Sequence, residues 1–380
     1  MHTFVCCEYQ LFSAMNRRTF LRSGTAMTAL VPLLPGADEP RPAAPAKAAR
    51  FTSNPDLPTL LPPARWPGTP LDAEGRFQNH EFPYRTPGGQ VLKWMLQRNP
   101  QREEKKADPF QVPIVEGAEF LAMKDDVVVW LGHASFFVRL GGINVLIDPV
   151  FGAPPFGKRL SRLPLDPARF TGLDYVLVSH AHYDHCDKDS LQQLHRQNPR
   201  ARLLTGLGMP ALLRRWLPEA DLQAAGWYQQ YRTDERLRIT FVPSRHWSNR
   251  SLSDVNETLW GGFVLQGGGR QVYFNGDSGY GSHYRDIGQL FPGLDVALLG
   301  AGAYAPRWFM APNHQDPAQA VQAFHDLGAR TLVPMHYGTF DLSDEPPGEP
   351  VRHLHELAAG GKLRGQLRVL GAGEVVRPGA

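Results

Sequence analysis

The sequence predicts an α/β (α+β) protein built as an αββα sandwich, two sheets face to face with helices outside. Two patterns point there. Short apolar runs of strand type come in groups, each group is followed by a helical stretch, and this order occurs twice. Four of the runs also end in residues of metal-ligand type, at 180–185, 246, 277 and 336. Ligands from such distant points converge only when packed sheets hold the strand ends against one another. With 380 residues, 42% hydrophobic and 20% charged, the chain has globular composition, and Gly 37 and Pro 34 suit a loop-rich α/β protein better than a helical bundle. Lys and Arg total 40 against 37 Asp and Glu, a net charge of +3, too balanced to argue for a nucleic-acid partner.

The first 37 residues read as a targeting segment. Met15-Asn16-Arg17-Arg18-Thr19-Phe20-Leu21-Arg22 resembles a twin-arginine export signal; an apolar stretch broken by Pro32 follows, and Pro35-Gly36-Ala37 offers a small-residue cleavage site. Export would place the protein in the periplasm or cell envelope, and Met15 could be the start in place of Met1. Removal of 1–37 takes three arginines and one glutamate and lowers the charge from +3 to +1. It also removes Cys6 and Cys7, so that Cys186 is left alone and no intrachain disulfide can form. Residues 38–60, rich in Pro and Ala, read as a flexible linker. Residues 61–380 read as the main domain, of which about 61–120 is an N-terminal extension packed on it. There, Val91 to Leu96 has the spacing of a short amphipathic helix, and Glu103-Glu104-Lys105-Lys106 is a solvated charge run.

From 127 onward strand signals come regularly. Residues 127–130 and 136–140 are apolar runs; Gly141-Gly142 turns a hairpin into 143–147, which ends at Asp148-Pro149. Residues 152–170, rich in proline and arginine, form a long loop of the kind used as a lid or binding loop. The apolar run 173–178 delivers the densest motif of the chain, His180-Ala181-His182-Tyr183-Asp184-His185. Residues 188–197 have helical spacing, with Asp187 or Asp189 as N-cap. The alternating run 236–243 delivers His246. Residues 259–265 and 271–274 pair across Gly267-Gly268-Gly269, and the second ends at Asp277. The run 295–300 is a buried strand, 318–327 is a helix that Pro317 can start, and 331–335 delivers His336.

Three imidazoles and a carboxylate within six positions are a ligand set for zinc and similar metals, although a His-rich surface loop has the same composition. The downstream residues complete two sets. One ion would take His180, His182 and His246; a second would take Asp184, His185 and His336; Asp277 would bridge them. A hydroxide between two such ions is a nucleophile available near neutral pH. His133 and Asp148 end strands beside the site and would orient ligand imidazoles by hydrogen bonds, or cap turns. Cys186 is a further ligand or a small buried filler.

These residues carry a resemblance. The His-x-His-x-Asp-His motif, His246, Gly276-Asp277-Ser278-Gly279 and His336 resemble the metallo-β-lactamase superfamily. The runs Trp130 to Ser135, Asp148 to Phe151, His246-Trp247, Leu259 to Gly261, Gly302 to Met310 and His336 to Phe340 narrow it to the N-acyl-phosphatidylethanolamine-hydrolysing phospholipase D (NAPE-PLD) family, over about 77–350. The resemblance implies a metallo-β-lactamase-type fold and a two-zinc phosphodiesterase. Such an enzyme releases N-acylethanolamine from a phospholipid and leaves phosphatidic acid, with peripheral membrane contact. It also implies a catalytic role for Asp184, a phosphate contact or general-acid role for His314, and substrate contacts for Tyr304, Arg307 and Trp308. Two other readings use the same residues: another hydrolase of this fold, such as a lactonase or small phosphodiesterase, and a non-catalytic metal-binding envelope protein.

Overall fold

Valine, tryptophan, phenylalanine and leucine dominate twelve strand positions, Val127–Gly132 (β1) and Ser135–Leu140 (β2), and all twelve are buried. Strands so apolar must be covered on both faces. The computed structural model, which describes residues 50–81, 88–155, 157–251 and 253–379, shows how. The twin-arginine stretch and residues 38–49 of the expected linker lie outside the described residues.

The first sheet continues with Ile143–Ile147 (β3), Tyr175–Val178 (β4), Arg202–Gly206 (β5) and Leu222–Ala225 (β6). The second sheet comprises Gln229–Gln230 (β7), Leu237–Val242 (β8), Gly262–Gly267 (β9), Arg270–Phe274 (β10), Val296–Gly300 (β11), Thr331–Met335 (β12) and Gln366–Leu367 (β13), and Val375–Val376 (β14) returns to the outer edge of the first. The orders are β14-β1-β2-β3-β4-β5-β6 and β7-β8-β9-β10-β11-β12-β13. Each sheet begins with antiparallel pairs and ends with parallel ones. Glycines make the hairpins: Gly141-Gly142 joins β2 to β3 and Gly268-Gly269 joins β9 to β10, all four at positive φ.

The packing is four-layered, as the sequence predicts. Trp130, Phe136 and Val138 of the first sheet meet Phe241, Phe263 and Phe274 of the second in one buried cluster. Each such side chain contributes about 1.5–3 kcal/mol on leaving water. Lys188–Gln197 (α1) covers the outer face of the first sheet through Leu191 and Leu194. His283–Leu290 (α2), Pro317–Leu327 (α3) and Glu349–Ala359 (α4) cover the second through Ile287, Phe324 and Leu354. Asp187 caps α1, accepting from the Ser190 N–H at 2.9 Å. Asp316 and Gln319 form a reciprocal capping box around Pro317, and Gly328 ends α3 in the left-handed region.

Three expectations are corrected. Residues 50–60, read as linker, are built into the domain: Arg50–Thr52 pairs with Thr69–Leu71, and Asn54 Nδ2 donates to Ala224 O at 2.8 Å. The sequence hid this because the Arg50–Thr52 pairing is only three residues long and the Asn54 partner lies 170 residues away. The long loop after β3 is tied down, since Lys158–Arg159 pairs with Phe340–Asp341 and Arg159 donates to Val150 O and Gly152 O. Lys105, in the charge run, is held by Asp341 and Ser343 O rather than solvated. Trp66, Phe77 and Val112 of the N-terminal stretch lie in the buried cluster between the sheets. No helix among the described residues is long and apolar enough to cross a membrane.

Candidate metal centre

The parallel register of β3, β4, β11 and β12 brings their C-terminal ends to one edge, where the chain must turn away. His133 after β1 (φ 53), Asp148 after β3 (φ 42) and His336 after β12 (φ 69) are non-glycines in the left-handed region. Such positions cost energy and cluster where side chains must be aimed. Gly276, also at positive φ, lets the chain before Asp277 pass close to Gly261: a Cβ there would sit 2.4 Å from Gly261 O.

Ligand-type atoms converge in two sets. In one, His180 Nε2 and His246 Nε2 lie 2.9 and 3.1 Å from His182 Nδ1, and 3.9 and 3.7 Å from Asp277 Oδ2. In the other, His185 Nε2 and His336 Nε2 lie 3.6 and 3.4 Å from Asp184 Oδ2, and 3.2 and 3.1 Å from the oxygens of Asp277. Asp277 thus faces both sets. Donors at ~2.0–2.1 Å from a tetrahedral ion are spaced about 3.3 Å apart, and the observed separations bracket that value.

Three of the outer nitrogens, those of His185, His246 and His180, are engaged in a way that aims the inner ones, whereas His336 Nδ1 and His182 Nε2 are buried without a hydrogen bond. His185 Nδ1 is 2.7 Å from Asp148 Oδ2, His246 Nδ1 donates to Asn313 O at 3.1 Å, and His180 Nδ1 is 2.9 Å from Ser179 Oγ. Asp148 is itself fixed by the Ser179 N–H (2.7 Å) and hydroxyl (2.5 Å). Each bond leaves an Nε2 lone pair pointing into the site, the tautomer a metal requires. The Nε2 atoms of His185 and His336 are buried and make no hydrogen bond despite the nearby carboxylates. Buried nitrogens without partners are costly, and a bound cation would satisfy them. The residues present therefore fit a metal.

The electrostatics agree. Burial would raise Asp184 and Asp277, but the surrounding imidazoles, His185 foremost, hold both well below the usual carboxylate range. Burial pushes His180 and His246 well below the ordinary imidazole value, and His182 down to about 4. For His185 and His336 burial is outweighed by Asp277 and Asp184, which raise His336 to about 9 and His185 well above its usual value.

The other predicted residues fall as follows. Asp148 holds the imidazole of His185, a proposed ligand. His133 does not: its Nε2 lies 2.8 Å from Asp184 Oδ2, so it grips the carboxylate, and its ring packs 4.0 Å from that of His336. His314 is at the site, with Nδ1 4.0 Å from Asp277 Oδ2. Burial pushes its imidazole to about 4, so at neutral pH it can offer an N–H but not an imidazolium proton. Tyr304 and Arg307, expected as substrate contacts, are turned to internal work. The Tyr304 hydroxyl donates to Glu349 at 2.5 Å; Arg307 donates to His314 O at 2.9 Å and Gln319 Oε1 at 2.8 Å, fixing the His314 loop. Trp308 is 42% exposed, with the Lys93 ammonium 4.6 Å from its ring. Cys186 is a buried filler, its thiol pushed up to about 12 by burial.

Two supports escape sequence reading. Arg250 donates to Ala181 O (3.1 Å) and Cys186 O (2.6 Å) and stacks 3.7 Å over the Tyr183 ring, so it clamps the motif's turn from both ends. Glu345 accepts from the N–H groups of Ala303, Tyr304 and Ala305 and fixes the loop before Trp308. An arginine after His-Trp or a glutamate among prolines carries no local signal of such contacts.

Residues 143–337 match the family described as the beta-lactamase superfamily domain, and that span holds all seven proposed ligands. An uncharacterised protein of Mycobacterium tuberculosis is 38% identical over 238 residues, 60% of this chain; the chain spans only 62% of that relative's length. The N-acyl-phosphatidylethanolamine-hydrolyzing phospholipase D 1 of Caenorhabditis elegans is 32% identical over 250 residues, 60% of this chain and 68% of that protein. Among solved structures, a metallo hydrolase from the archaeon Ignicoccus hospitalis aligns with a TM-score of 0.53 and 26% identity, over 66% of this chain and 97% of the other. Taken with the fold and the two donor sets, these matches show that the chain belongs to the beta-lactamase superfamily and has the metallo-β-lactamase fold.

Proposed function

We propose that the protein is a two-zinc phosphodiesterase of phospholipase D type that acts on N-acyl-phosphatidylethanolamine-like lipids. The observation that carries this reading is the pair of donor sets sharing Asp277, His180–His182–His246 and Asp184–His185–His336. Zinc there would supply a lowered water pKa and a Lewis acid for phosphoryl oxygens. The similarity to the Caenorhabditis elegans phospholipase D supports the substrate class.

The reaction adds water across one P–O bond: water oxygen joins phosphorus, the bond to the N-acylethanolamine oxygen breaks, and that oxygen takes a proton. Asp184 and Asp277, held ionised, would bind and orient the cations. Neutral His314, steadied by Arg307 on its carbonyl, would donate an N–H to a phosphoryl oxygen. Exposed Trp308, with Lys93 over its ring, would meet the lipid surface. The arginine pair at 17–18 supports action outside the cytoplasm, at the envelope.

The test is mass spectrometry of products after incubation of the purified protein with mixed phospholipid vesicles containing N-acyl-phosphatidylethanolamine, with a chelated control. Phosphatidic acid and free N-acylethanolamine, both abolished by chelation, are expected. No product from a protein that retains two metals would discard the substrate.

A further inference from the structure

The matched family domain begins at residue 143, yet the metal centre draws on a segment far ahead of it. Residues 76–79 run along the loop that carries His246. Arg76 donates to Val255 O and, at 3.2 Å, to Ser253 O. The Phe77 N–H donates to Asn256 O at 2.9 Å. Asn79, 4% exposed, grips His246 itself: its Oδ1 accepts from the His246 N–H at 3.0 Å, and its Nδ2 donates to His246 O at 2.8 Å.

His246 lies just past β8, outside any strand. Its backbone groups are buried, and a buried N–H or C=O must find a partner. An amide side chain presents an acceptor and a donor in the order that a neighbouring strand would. Asn79 therefore does for one residue what a sheet ladder does for many. The His246 ring is held at its other end by Nδ1 donating to Asn313 O. Backbone and ring together then aim Nε2 at His182 Nδ1 and Asp277.

From this geometry we infer that Asn79 is a positioning residue for His246, so that the N-terminal extension is a working part of the metal centre. The inference rests on the reading that His180, His182, His246 and Asp277 hold one of two metals. It assigns the extension a selective effect, because none of the Asn79 bonds touches Asp184, His185 or His336. Loss of the amide leaves the His246 N–H and C=O unpaired and its ring free to drift from one donor set alone.

The experiment is zinc titration of the metal-free full chain against a chromophoric chelator, for wild type, Asn79→Ala and Asn79→Asp. Aspartate has the same shape and keeps the acceptor, but it sets a carboxylate oxygen against His246 O, so it separates the lost donor from lost packing. The expected result is two sites in the wild type. In both variants one site should weaken about 10–100-fold, the range for groups that orient a ligand, with the other within about twofold. Cobalt substitution supplies a second readout, with the absorption of one bound ion altered and that of the other kept. A purely structural Asn79 would lower the melting temperature and weaken both sites together or neither, and either result overturns the inference. Two ions bound unchanged by both variants sink the inference alone. A wild type that binds no second ion sinks the two-metal reading first and the inference with it.

Discussion

Replacing Asp148 by asparagine should cost the site a metal without unfolding the protein. Asp148 is fully buried at φ 42, a conformation that asparagine tolerates better than most residues. Its Oδ1 accepts from the Ser179 N–H, a group that can only donate, so the amide oxygen of the variant must take that place. The new NH2 then faces the Ser179 hydroxyl and His185 Nδ1, where Oδ2 had been. His185 can meet an N–H donor only with a bare Nδ1, which moves its proton to Nε2. That proton points between Asp184 and Asp277, where the metal should sit. The lost charge-assisted bond is worth about 1.5–3 kcal/mol, or roughly 10–100-fold in affinity at 1.4 kcal/mol per decade. Chelator competition on wild type and Asp148→Asn, with thermal melts of both metal-free proteins, measures this. An affinity within about twofold of wild type would refute the tautomer argument, and a loss accompanied by collapse of the melt would show that Asp148 acts on the fold instead.

Two further predictions concern stability. In the metal-free protein, burial holds His133 and His283 at about 3 and His182 and His314 at about 4, whereas unfolded imidazoles titrate near pH ~6.5. Between these values the unfolded state binds more protons, so stability falls as pH drops below ~6.5. His336, raised to about 9, runs the other way: its contribution is present below ~6.5 and is lost as pH rises through about 9. Urea midpoints should therefore fall more steeply from pH 7 to 5 than from 7 to 9, and a midpoint that rises toward pH 5 would contradict buried neutral imidazoles. Gly276→Ala should destabilise by about 2 kcal/mol or more, from the left-handed backbone and the clash with Gly261 O; a chemical-denaturation loss below ~0.5 kcal/mol would show that the strand end yields easily.

Much of the centre was legible along the chain because its signals are local. His180, His182, Asp184 and His185 fall within six positions after an apolar run, and His246, Asp277 and His336 each follow a strand whose pattern can be read without a structure. The sheets themselves are mostly continuous apolar runs broken by glycine pairs, and the caps of α1 and α3 are written in three or four neighbouring residues. Short strands such as β7, β13 and β14 gave no such pattern, being two residues each and defined by their partners.

By itself, then, the sequence determined the four-layer fold, the family resemblance and the ligand types, since each depends on period, spacing or chemistry within a short window. Only the tertiary structure decided which atoms meet. It put Asn79 on His246 across 167 positions and Lys105 on Asp341 across 236. It placed His133 on a carboxylate rather than an imidazole, and it spent Tyr304 and Arg307 on internal bonds. A polar side chain's partner is set by where the backbone folds, and asparagine, arginine and tyrosine can bond almost anything that comes within 3 Å.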